Sequence, residues 1–315
     1  MRGSTAAPTV APVAELLSTT SHGPSARVAW PAAVSPLVAD VVAGPQVARP
    51  VLASFPTCLY LAAGSHEQVL AVLAADALAL PIGLHLALPS TRVRWGVEPG
   101  AHVVVGGGRV RLPHADVVAV RLSRPSRVQA LHDSWGAAVC LPDPGVLGDR
   151  AQQLVATVLE GGSAHAGVRS LIGAGRGLTP SGDDALCGVL LTLGALDLPR
   201  ARRAHAQVAS AVRSLTVRTT SLSAALLLAA AQGYAVPDVA RLVSRVVGTR
   251  GRNDGADRVV GGRSGGSFRP HEPAGLVDRV LAIGHTSGRD LLAGVSGALR
   301  ALDAHTTSQE GTPRG

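Results

Sequence analysis

The densest group of residues able to take part in chemistry lies between positions 173 and 184. Three alternating glycines there precede Thr179, Ser181 and an Asp pair. Glycine lets the backbone turn through positive φ and approach a ligand closely. An apolar run follows the Asp pair, so we expect a helix to begin there. Because a helix start offers free N–H groups and a positive dipole end, the pattern predicts a small anion-binding site.

A second stretch, residues 287–295, repeats the pattern of residues 181–189, with matching Ser, Gly, Asp, Leu, Gly and Val. Asp184 and Asp290 both stand three residues after a serine, the spacing of a capping box, so both are predicted to be largely structural. Asp183 has no acidic counterpart, because Arg289 stands at the matching position. Capping does not require Asp183, which makes it the better candidate for chemistry.

Both copies of the pattern also place a glycine inside the predicted helix, Gly188 in the first and Gly294 in the second. Glycine destabilises a helix interior, and close packing of the two helices would explain both. A third hydroxyl-rich helix start, Thr219-Thr220-Ser221, precedes an Ala/Leu run and has the composition of an N-cap. We therefore hypothesise that the three helix starts converge on one pocket.

The composition limits the classes of function. Hydrophobic residues form 46% and charged residues 16% of the 315 residues, as in a globular chain long enough for two domains. The formal net charge is +8 and the chain has no lysine, which excludes a Schiff-base lysine and a Walker-type phosphate lysine. Arginine matches anionic partners, but biased composition explains most of the charge. Scattered arginines and 2% aromatic residues argue against a nucleic-acid surface.

Three cysteines, Cys58, Cys140 and Cys187, lie far apart without a CxxC motif. We therefore expect no disulfide framework, no structural zinc site and a cytoplasmic location. Residues 1–24 lack the basic-then-apolar pattern of a secretory signal. The most apolar stretch, residues 69–89, is interrupted by charged, proline and glycine residues, so it predicts a helix followed by a strand rather than a membrane span.

The patterning predicts an α+β fold: a tail over residues 1–26, a small mixed β-rich domain over 27–145, a mainly α-helical domain over 146–304, and a second tail over 305–315. The expected β elements are strands at 52–62, 83–88 and 116–122 and a hairpin at 102–112. Helices are expected at 149–159, 163–172, 182–196, 200–214, 221–232, 237–247, 274–283 and 287–303. A Gly/Arg/Ser-rich insert at 248–270 is predicted to be a mobile loop.

The string Gly-Arg-Gly-Leu-Thr-Pro-Ser-Gly-Asp-Asp at 175–184 resembles the signature of the AllH family, which consists of subunits of oxamate carbamoyltransferase. Residues 219–221 and 284–290 are also similar to that family, and the resemblance covers about 171–300. Arg176 stands where the family has proline, and Ala185 stands where it has a large apolar residue. The resemblance implies carbamoyl transfer between oxamate and carbamoyl phosphate in ureide or purine nitrogen catabolism, carried out with partner subunits.

For such a subunit we expect Asp183 and His285 to be catalytic, His285 as a proton carrier. The expected substrate-binding residues are Gly175, Arg176, Gly177, Thr179, Ser181, Gly182, Asp184, Thr219, Thr220, Ser221, Ser287 and Asp290. The expected ligand is a small anion (carbamoyl phosphate, oxamate or phosphate), with no nucleic acid, membrane or cofactor. No metal is expected, because adjacent Asp residues on a helix point about 100° apart.

Two other interpretations follow from the same residues. The chain lacks an obvious nucleophile or a complete acid/base pair, which favours a non-catalytic subunit that binds a small anion or serves as a scaffold. A lone histidine such as His285 is also commonly a helix-start residue satisfied by the backbone. A nucleotide-binding protein is rejected, since no clear strand precedes the glycine turn and no acid about 20 residues later completes a dinucleotide fingerprint.

Overall fold

The computed structural model describes residues 27–129, 141–250 and 272–310. Strands occupy the N-terminal part and helices the C-terminal part, which agrees with an α+β fold. Parts of three predicted segments lie outside the described residues: the tail at 1–26, residues 251–270 of the insert, and residues 311–315 of the second tail. In the described ranges, no helix combines the length and apolar character needed to cross a bilayer.

The strands form a closed barrel. In chain order they are β1 (Val28–Val34), β2 (Val47–Ser54), β3 (Cys58–Ala62), β4 (Val69–Leu73), β5 (Gly83–Leu86), β6 (His102–Gly106), β7 (Arg109–Arg111) and β8 (Ala115–Leu122). Their spatial order is β1-β5-β4-β3-β2-β6-β7-β8, and β8 pairs in parallel with β1 to close the barrel. An eight-stranded barrel is just wide enough for side chains to fill it, and Leu59, Leu61, Leu70 and Leu84 are completely buried there.

The predicted hairpin at 102–112 is confirmed by β6 and β7, and the strand at 116–122 by β8. The strand expected at 52–62 is two antiparallel strands, β2 and β3, joined by a turn. The helix expected before β5 is wrong, because Val69–Leu73 is the strand β4. All five residues of β4 are buried, so its sequence lacks the alternation that identifies a strand with one exposed face.

The helices follow the predicted positions closely. They are α1 (Ala39–Ala43), α2 (Gly145–Leu159), α3 (Ala164–Leu171), α4 (Ser181–Ala195), α5 (Pro199–Leu215), α6 (Ser221–Ala231), α7 (Pro237–Arg250), α8 (Glu272–Leu281) and α9 (Ser287–Glu310). Helix α1 lies between β1 and β2 and was not expected from the sequence. Helix α9 continues to Glu310, so residues 305–310 are helical rather than part of a tail.

Helices α4 and α9 are in direct backbone contact through the two predicted interior glycines. A Cβ atom on Gly188 would collide with the carbonyl oxygen of Leu291, and one on Gly294 would collide with that of Ala185. The prediction of close helix packing at these glycines is therefore confirmed. Because α4 and α9 touch here without intervening side chains, their N-terminal ends are held at a fixed separation.

The sequence repeat corresponds to two pairs of consecutive helices, α3–α4 and α8–α9, each joined by a turn. At the start of α4, Gly182 packs so closely on the carbonyl of Leu171 that a Cβ atom would collide with it. Gly288 at the start of α9 packs in the same way on the carbonyl of Val280. Each repeated glycine thus lets a helix start lie against the end of the preceding helix.

Helix α6 contributes to two hydrophobic cores. Its residues Leu222, Ala225 and Ala229 belong to the core of the barrel, whereas Leu227 and Ala230 belong to the core of the helical part. The helix also packs on strand β4, which explains why β4 is buried on both faces.

Candidate functional site

The glycine turn between α3 and α4 has the conformation that the sequence predicts. Gly173, Gly175 and Gly177 have φ angles of +73°, +127° and +90°. A Cβ atom on Gly175 would lie 2.6 Å from the backbone nitrogen of Ser181, and one on Gly173 would collide with the carbonyl of Arg218. The turn is thus folded tightly against α4 and against the segment that leads into α6.

Asp183 connects the glycine turn to the segment before α6. The residue is 1% exposed; one carboxyl oxygen accepts the Gly173 N–H at 2.8 Å and the other accepts the Thr219 hydroxyl. Burial raises the pKa of Asp183, while hydrogen bonds from Thr219, Gly173 and Ser223 oppose that rise. Both carboxyl oxygens therefore have partners within the chain, an arrangement suited to holding the turn in place.

The three helix starts lie together, as hypothesised. The hydroxyls of Thr179 and Ser287 are 3.0 Å apart and join the starts of α4 and α9. Thr220 donates to the carbonyl of Leu178 at 2.5 Å and joins the start of α6 to the same region. Thr220 also caps α6 by accepting the Ser223 N–H at 3.1 Å, so the predicted N-cap is confirmed.

The barrel supplies a contact to this region that the sequence did not reveal. His66, in the β3–β4 connection, lies with Nε2 2.9 Å from the carbonyl oxygen of Thr219 and Nδ1 3.2 Å from the hydroxyl of Ser221. Because a carbonyl can only accept, Nε2 carries the proton and Nδ1 is free to accept from Ser221. His66 has no local sequence signal, since a single exposed histidine in a turn is compatible with many roles.

A cavity of about 290 Å³ lies among the barrel, α4, α6, α7 and α9, directly beneath the joined helix starts. Most of its lining is aliphatic, including Leu191, Leu222 and Leu226. Its polar lining residues are Tyr60, Thr179, Asp184, Cys187, Tyr234 and Ser287. The described residues that line this cavity include no arginine and no histidine, and they form a mostly apolar wall that contains one carboxyl group and several hydroxyl groups.

Asp184 is a carboxyl group that this environment affects strongly. It is 9% exposed, and its Oδ2 is buried without a hydrogen-bond partner among the described residues. Burial raises the pKa of Asp184 to about 7; the charges of Asp290 and Asp183 add to the rise, and hydrogen bonds from Ser287 and Thr179 oppose it. Asp184 therefore exchanges its proton near neutral pH, as a general acid or base requires.

The capping role expected of Asp184 is not present in the structure. Pro180 is the N-cap of α4, and no side chain caps that helix start. The carboxyl of Asp184 interacts instead with Ser287 at the start of α9. The equivalent Asp290 also has a buried Oδ2 without a partner in the described parts of the chain. The two repeat-related acids thus lie close enough for the charge of Asp290 to raise the pKa of Asp184.

The backbone N–H groups at the start of α4 are largely engaged within the chain. The N–H of Gly182 donates to Ala174 at 2.8 Å, and those of Asp183 and Asp184 donate to Pro180 at 2.9 and 3.2 Å. The sequence analysis expected free N–H groups at this helix start to bind an anion. Anion recognition at α4 therefore has fewer free donors than a bare helix start provides.

Of the fourteen predicted site residues, all of them described, only Thr179, Asp184 and Ser287 line the cavity. Arg176 and His285 are exposed, and Ser181 is half-buried. Cys187 does line the cavity, but burial and the nearby Asp charges raise the pKa of its thiol well above the usual value, which makes it a poor nucleophile. Across the described ranges, no cluster of three or more His, Cys, Asp or Glu side chains is arranged to hold a metal ion.

Sequence reasoning missed the aromatic part of the cavity. Both tyrosines of the chain, Tyr60 and Tyr234, and one of its two phenylalanines, Phe55, line it. Only 2% of the residues in this chain are aromatic, so three of them in one cavity are a marked local enrichment. The enrichment is visible only in the structure, because Tyr234 lies far from the other two in the sequence. Phe55 and Tyr60 pack edge to face with ring centroids 6.1 Å apart, a favourable geometry for an aromatic pair.

No solved structure matches this chain. Its helical part, however, matches a known family over the region that contains the glycine turn, the start of α6 and the start of α9. The resemblance inferred from the motifs is confirmed: residues 171–299 match the family described as oxamate carbamoyltransferase subunit AllH.

Proposed function

We propose that this protein is a subunit of an oxamate carbamoyltransferase-type complex and that Asp184 binds the amide group of the carbamoyl acceptor. The family match supports a subunit of such a complex. The observation that carries the assignment of the site is the buried Oδ2 of Asp184 in the cavity wall, which has no hydrogen-bond partner among the residues that the structure describes. A buried acceptor without a partner is unfavourable, and an N–H of the acceptor amide satisfies it.

In the proposed reaction, the amide nitrogen of the acceptor attacks the carbamoyl carbon of carbamoyl phosphate. A C–N bond forms, the C–O bond to phosphate breaks, and its electron pair leaves with phosphate. The proton lost by the nitrogen passes to Oδ2 of Asp184, whose pKa of about 7 suits it to accept and release a proton near neutrality.

The remaining parts of the site act by positioning. Asp183 holds the glycine turn against the segment before α6, and Thr179 and Ser287 orient the carboxyl of Asp184. The charges of phosphate and carboxylate need cations, and none of the described residues that line the cavity is a cation. We propose that partner subunits, or Arg176 on the exposed turn, supply them.

The test is a carbamoyl-transfer assay of the purified chain, alone and with the proteins encoded by its neighbouring genes, monitoring phosphate-dependent breakdown of carbamoylated oxamate. We expect Asp184→Asn to lower kcat by about 10²- to 10⁴-fold in the active complex. Asp278→Asn, which alters an exposed carboxyl on α8, is the matched control and leaves kcat unchanged. Full activity of Asp184→Asn would falsify the assignment.

The same assay tests Asp183 and His285 as catalytic groups. If Asp183 positions the turn, Asp183→Asn lowers activity in proportion to the loss of folded protein. If His285 carries the proton, His285→Ala shows the large loss of kcat and Asp184→Asn does not. A loss confined to one of the three variants identifies the group that exchanges the proton.

A second candidate function is a non-catalytic subunit that binds a small molecule or serves as a scaffold. The internally bonded N–H groups of α4 and the buried, protonated thiol of Cys187 favour it. A complex that keeps full activity with Asp184→Asn, Asp183→Asn and His285→Ala, but loses it when this chain is omitted, would establish that role.

A further inference from the structure

A second cavity, of about 440 Å³, lies beside the one that contains Asp184. The residues that line both cavities are Leu78, Val236, Ile283 and Gly284. The start of α7, the end of α8 and the connection between β4 and β5 line the second cavity. These are the ends of α7 and α8 that lie away from the connection between the two helices. A group bound in the second cavity therefore lies directly beside the proposed reaction site.

The charged residues described in this second cavity are Asp238 and Arg241 on α7 and Arg279 on α8. Nη2 of Arg241 lies 3.1 Å from Oδ1 of Asp238, and Nε of Arg279 lies 3.4 Å from Oδ2. The other described residues of the lining are uncharged. Two arginines beside one aspartate leave an excess of positive charge, and the positive dipole end of α7 adds to it. The second cavity therefore favours an anion.

Asp238 leaves most of the N–H donors of the two arginines unused. Its Oδ1 is buried without a hydrogen-bond partner among the described residues, so its contact with Arg241 is an ion pair without hydrogen-bond geometry. Within the described ranges, Arg241 donates one hydrogen bond, from Nε to the carbonyl of Pro237, and Arg279 donates none. Because a guanidinium group has five N–H donors, both arginines can bind a ligand while they remain beside Asp238.

From this arrangement we infer that Arg241 and Arg279 bind the phosphate group that the proposed reaction releases from carbamoyl phosphate. The guanidinium fork matches the oxygen atoms of phosphate, and two guanidinium groups that contact one carboxylate are close enough to share one small anion. The inference rests on the proposed function, since that reaction supplies the phosphate. Partner subunits or Arg176 are then needed only for the carboxylate of the acceptor.

The ion pairs of Asp238 also join α8 to α7, so a purely structural role is the alternative. The side chains of Arg241 and Arg279 are 64% and 53% exposed, and ion pairs this exposed contribute little to stability. We therefore expect Arg241→Gln and Arg279→Gln to unfold in urea at the same midpoint as the wild type. Their effect is expected on phosphate instead.

The first test is isothermal titration calorimetry of the full chain with inorganic phosphate, at low ionic strength to limit screening. Arg241→Gln and Arg279→Gln should each weaken binding about tenfold, because each removes a charge-assisted hydrogen bond. Asp238→Asn should tighten it about fourfold by removing a competing charge. Arg202→Gln is the matched control, since Arg202 is 63% exposed and paired with Asp197 outside this cavity. It should bind as the wild type does.

Three results of this titration overturn the inference. The first is an absence of detectable phosphate binding by the wild type. The second is binding by Arg241→Gln and Arg279→Gln as tight as by Arg202→Gln, because the loss must be specific to the cavity and not to the net charge. The third is weaker binding by Asp238→Asn, which would contradict competition between the carboxylate and phosphate.

The second test uses the carbamoyl-transfer assay, in which phosphate is the second substrate for breakdown of carbamoylated oxamate. Arg241→Gln and Arg279→Gln should raise the KM for phosphate about tenfold and leave the KM for carbamoylated oxamate unchanged. If the KM for carbamoylated oxamate rises instead, the two arginines bind its carboxylate and the assignment to phosphate is wrong. An unchanged KM for phosphate, despite weaker binding in the titration, would also overturn the inference, since the site would then be separate from the reaction.

The outcomes distinguish this inference from the proposed role of Asp184. If Asp184→Asn keeps full activity but the arginine variants raise the KM for phosphate, the role of Asp184 is wrong and the phosphate site stands. If Asp184→Asn abolishes transfer but the arginine variants change neither phosphate binding nor its KM, the proposed function stands and the phosphate site is wrong.

Discussion

Replacing Asp184 by Asn tests whether the pKa of this carboxyl is raised, because a raised pKa makes the free energy of unfolding depend on pH. Burial raises the pKa of this carboxyl from 3.8 to about 7, so the folded protein holds a proton that the unfolded chain releases above about pH 4. The contribution of Asp184 to the free energy of unfolding is fully present below pH 3.8 and is lost as the pH rises towards 7. Above pH 7 the contribution no longer changes with pH. With about 1.4 kcal/mol per pH unit, the loss amounts to about 4 kcal/mol.

Asn is a neutral isostere of the protonated acid and does not titrate. We therefore expect Asp184→Asn to match the wild type near pH 4 and to become more stable by up to about 4 kcal/mol at pH 8. Urea unfolding at half-unit intervals from pH 4 to pH 8 measures the difference, with Asp278→Asn as the exposed control. If the free energy of unfolding of the wild type minus that of the variant stays constant across this pH range, the raised pKa is refuted.

Three further substitutions test the structural parts of the site, each by urea unfolding at pH 7. Gly188→Ala is expected to destabilise the fold by about 1–3 kcal/mol because its Cβ collides with the carbonyl of Leu291; Gly275→Ala, at a helical glycine without a close contact, should stabilise it by about 0.5–1 kcal/mol. Equal effects of the two would contradict the close contact of α4 and α9. Thr220→Ala should lower the free energy of unfolding by about 1–2 kcal/mol, and Thr220→Ser should lower it much less, since serine also caps α6. Asp183→Asn should lose about 1–3 kcal/mol, and a variant as stable as the wild type would argue against its role in holding the glycine turn.

The sequence predicted the helical part well because its signals are local. Helix starts rich in Ser, Thr and Asp, and apolar residues at helical spacing, located the starts of the eight helices α2 to α9 to within four residues, although α9 ends seven residues later than predicted. The repeat also predicted the contact at Gly188 and Gly294, because an otherwise unfavourable residue at matching positions needs a packing explanation.

The barrel was only partly predictable, because its pairing is not local. Strand β1 pairs with β8 in parallel and with β5 in antiparallel orientation, and no sequence spacing indicates either pairing. Strand β4 was mistaken for a helix since burial on both faces leaves a continuous apolar run that is compatible with both structures.

The roles of the two adjacent acids, Asp183 and Asp184, could not be predicted from spacing alone, because they depend on the contacts of the side chains. The Ser-x-x-Asp spacing favoured capping for Asp184, but Pro180 is the N-cap and the partner of Asp184 comes from α9, about a hundred residues later in the chain. Asp183 interacts instead with Gly173 and Thr219. The direction of a side chain at a helix start thus follows from tertiary contacts that spacing does not reveal.

The participation of α6 in the barrel core has a consequence for synthesis of the protein on the ribosome. Strand β8 ends at Leu122, but Leu222, Ala225 and Ala229, which complete the barrel core, are made much later. Until α6 emerges, the outer face of β4 lacks its cover, and exposed apolar strands promote aggregation. We expect nascent chains that end before Ser221 to depend on chaperones, and folding to be completed only once α6 reaches the barrel.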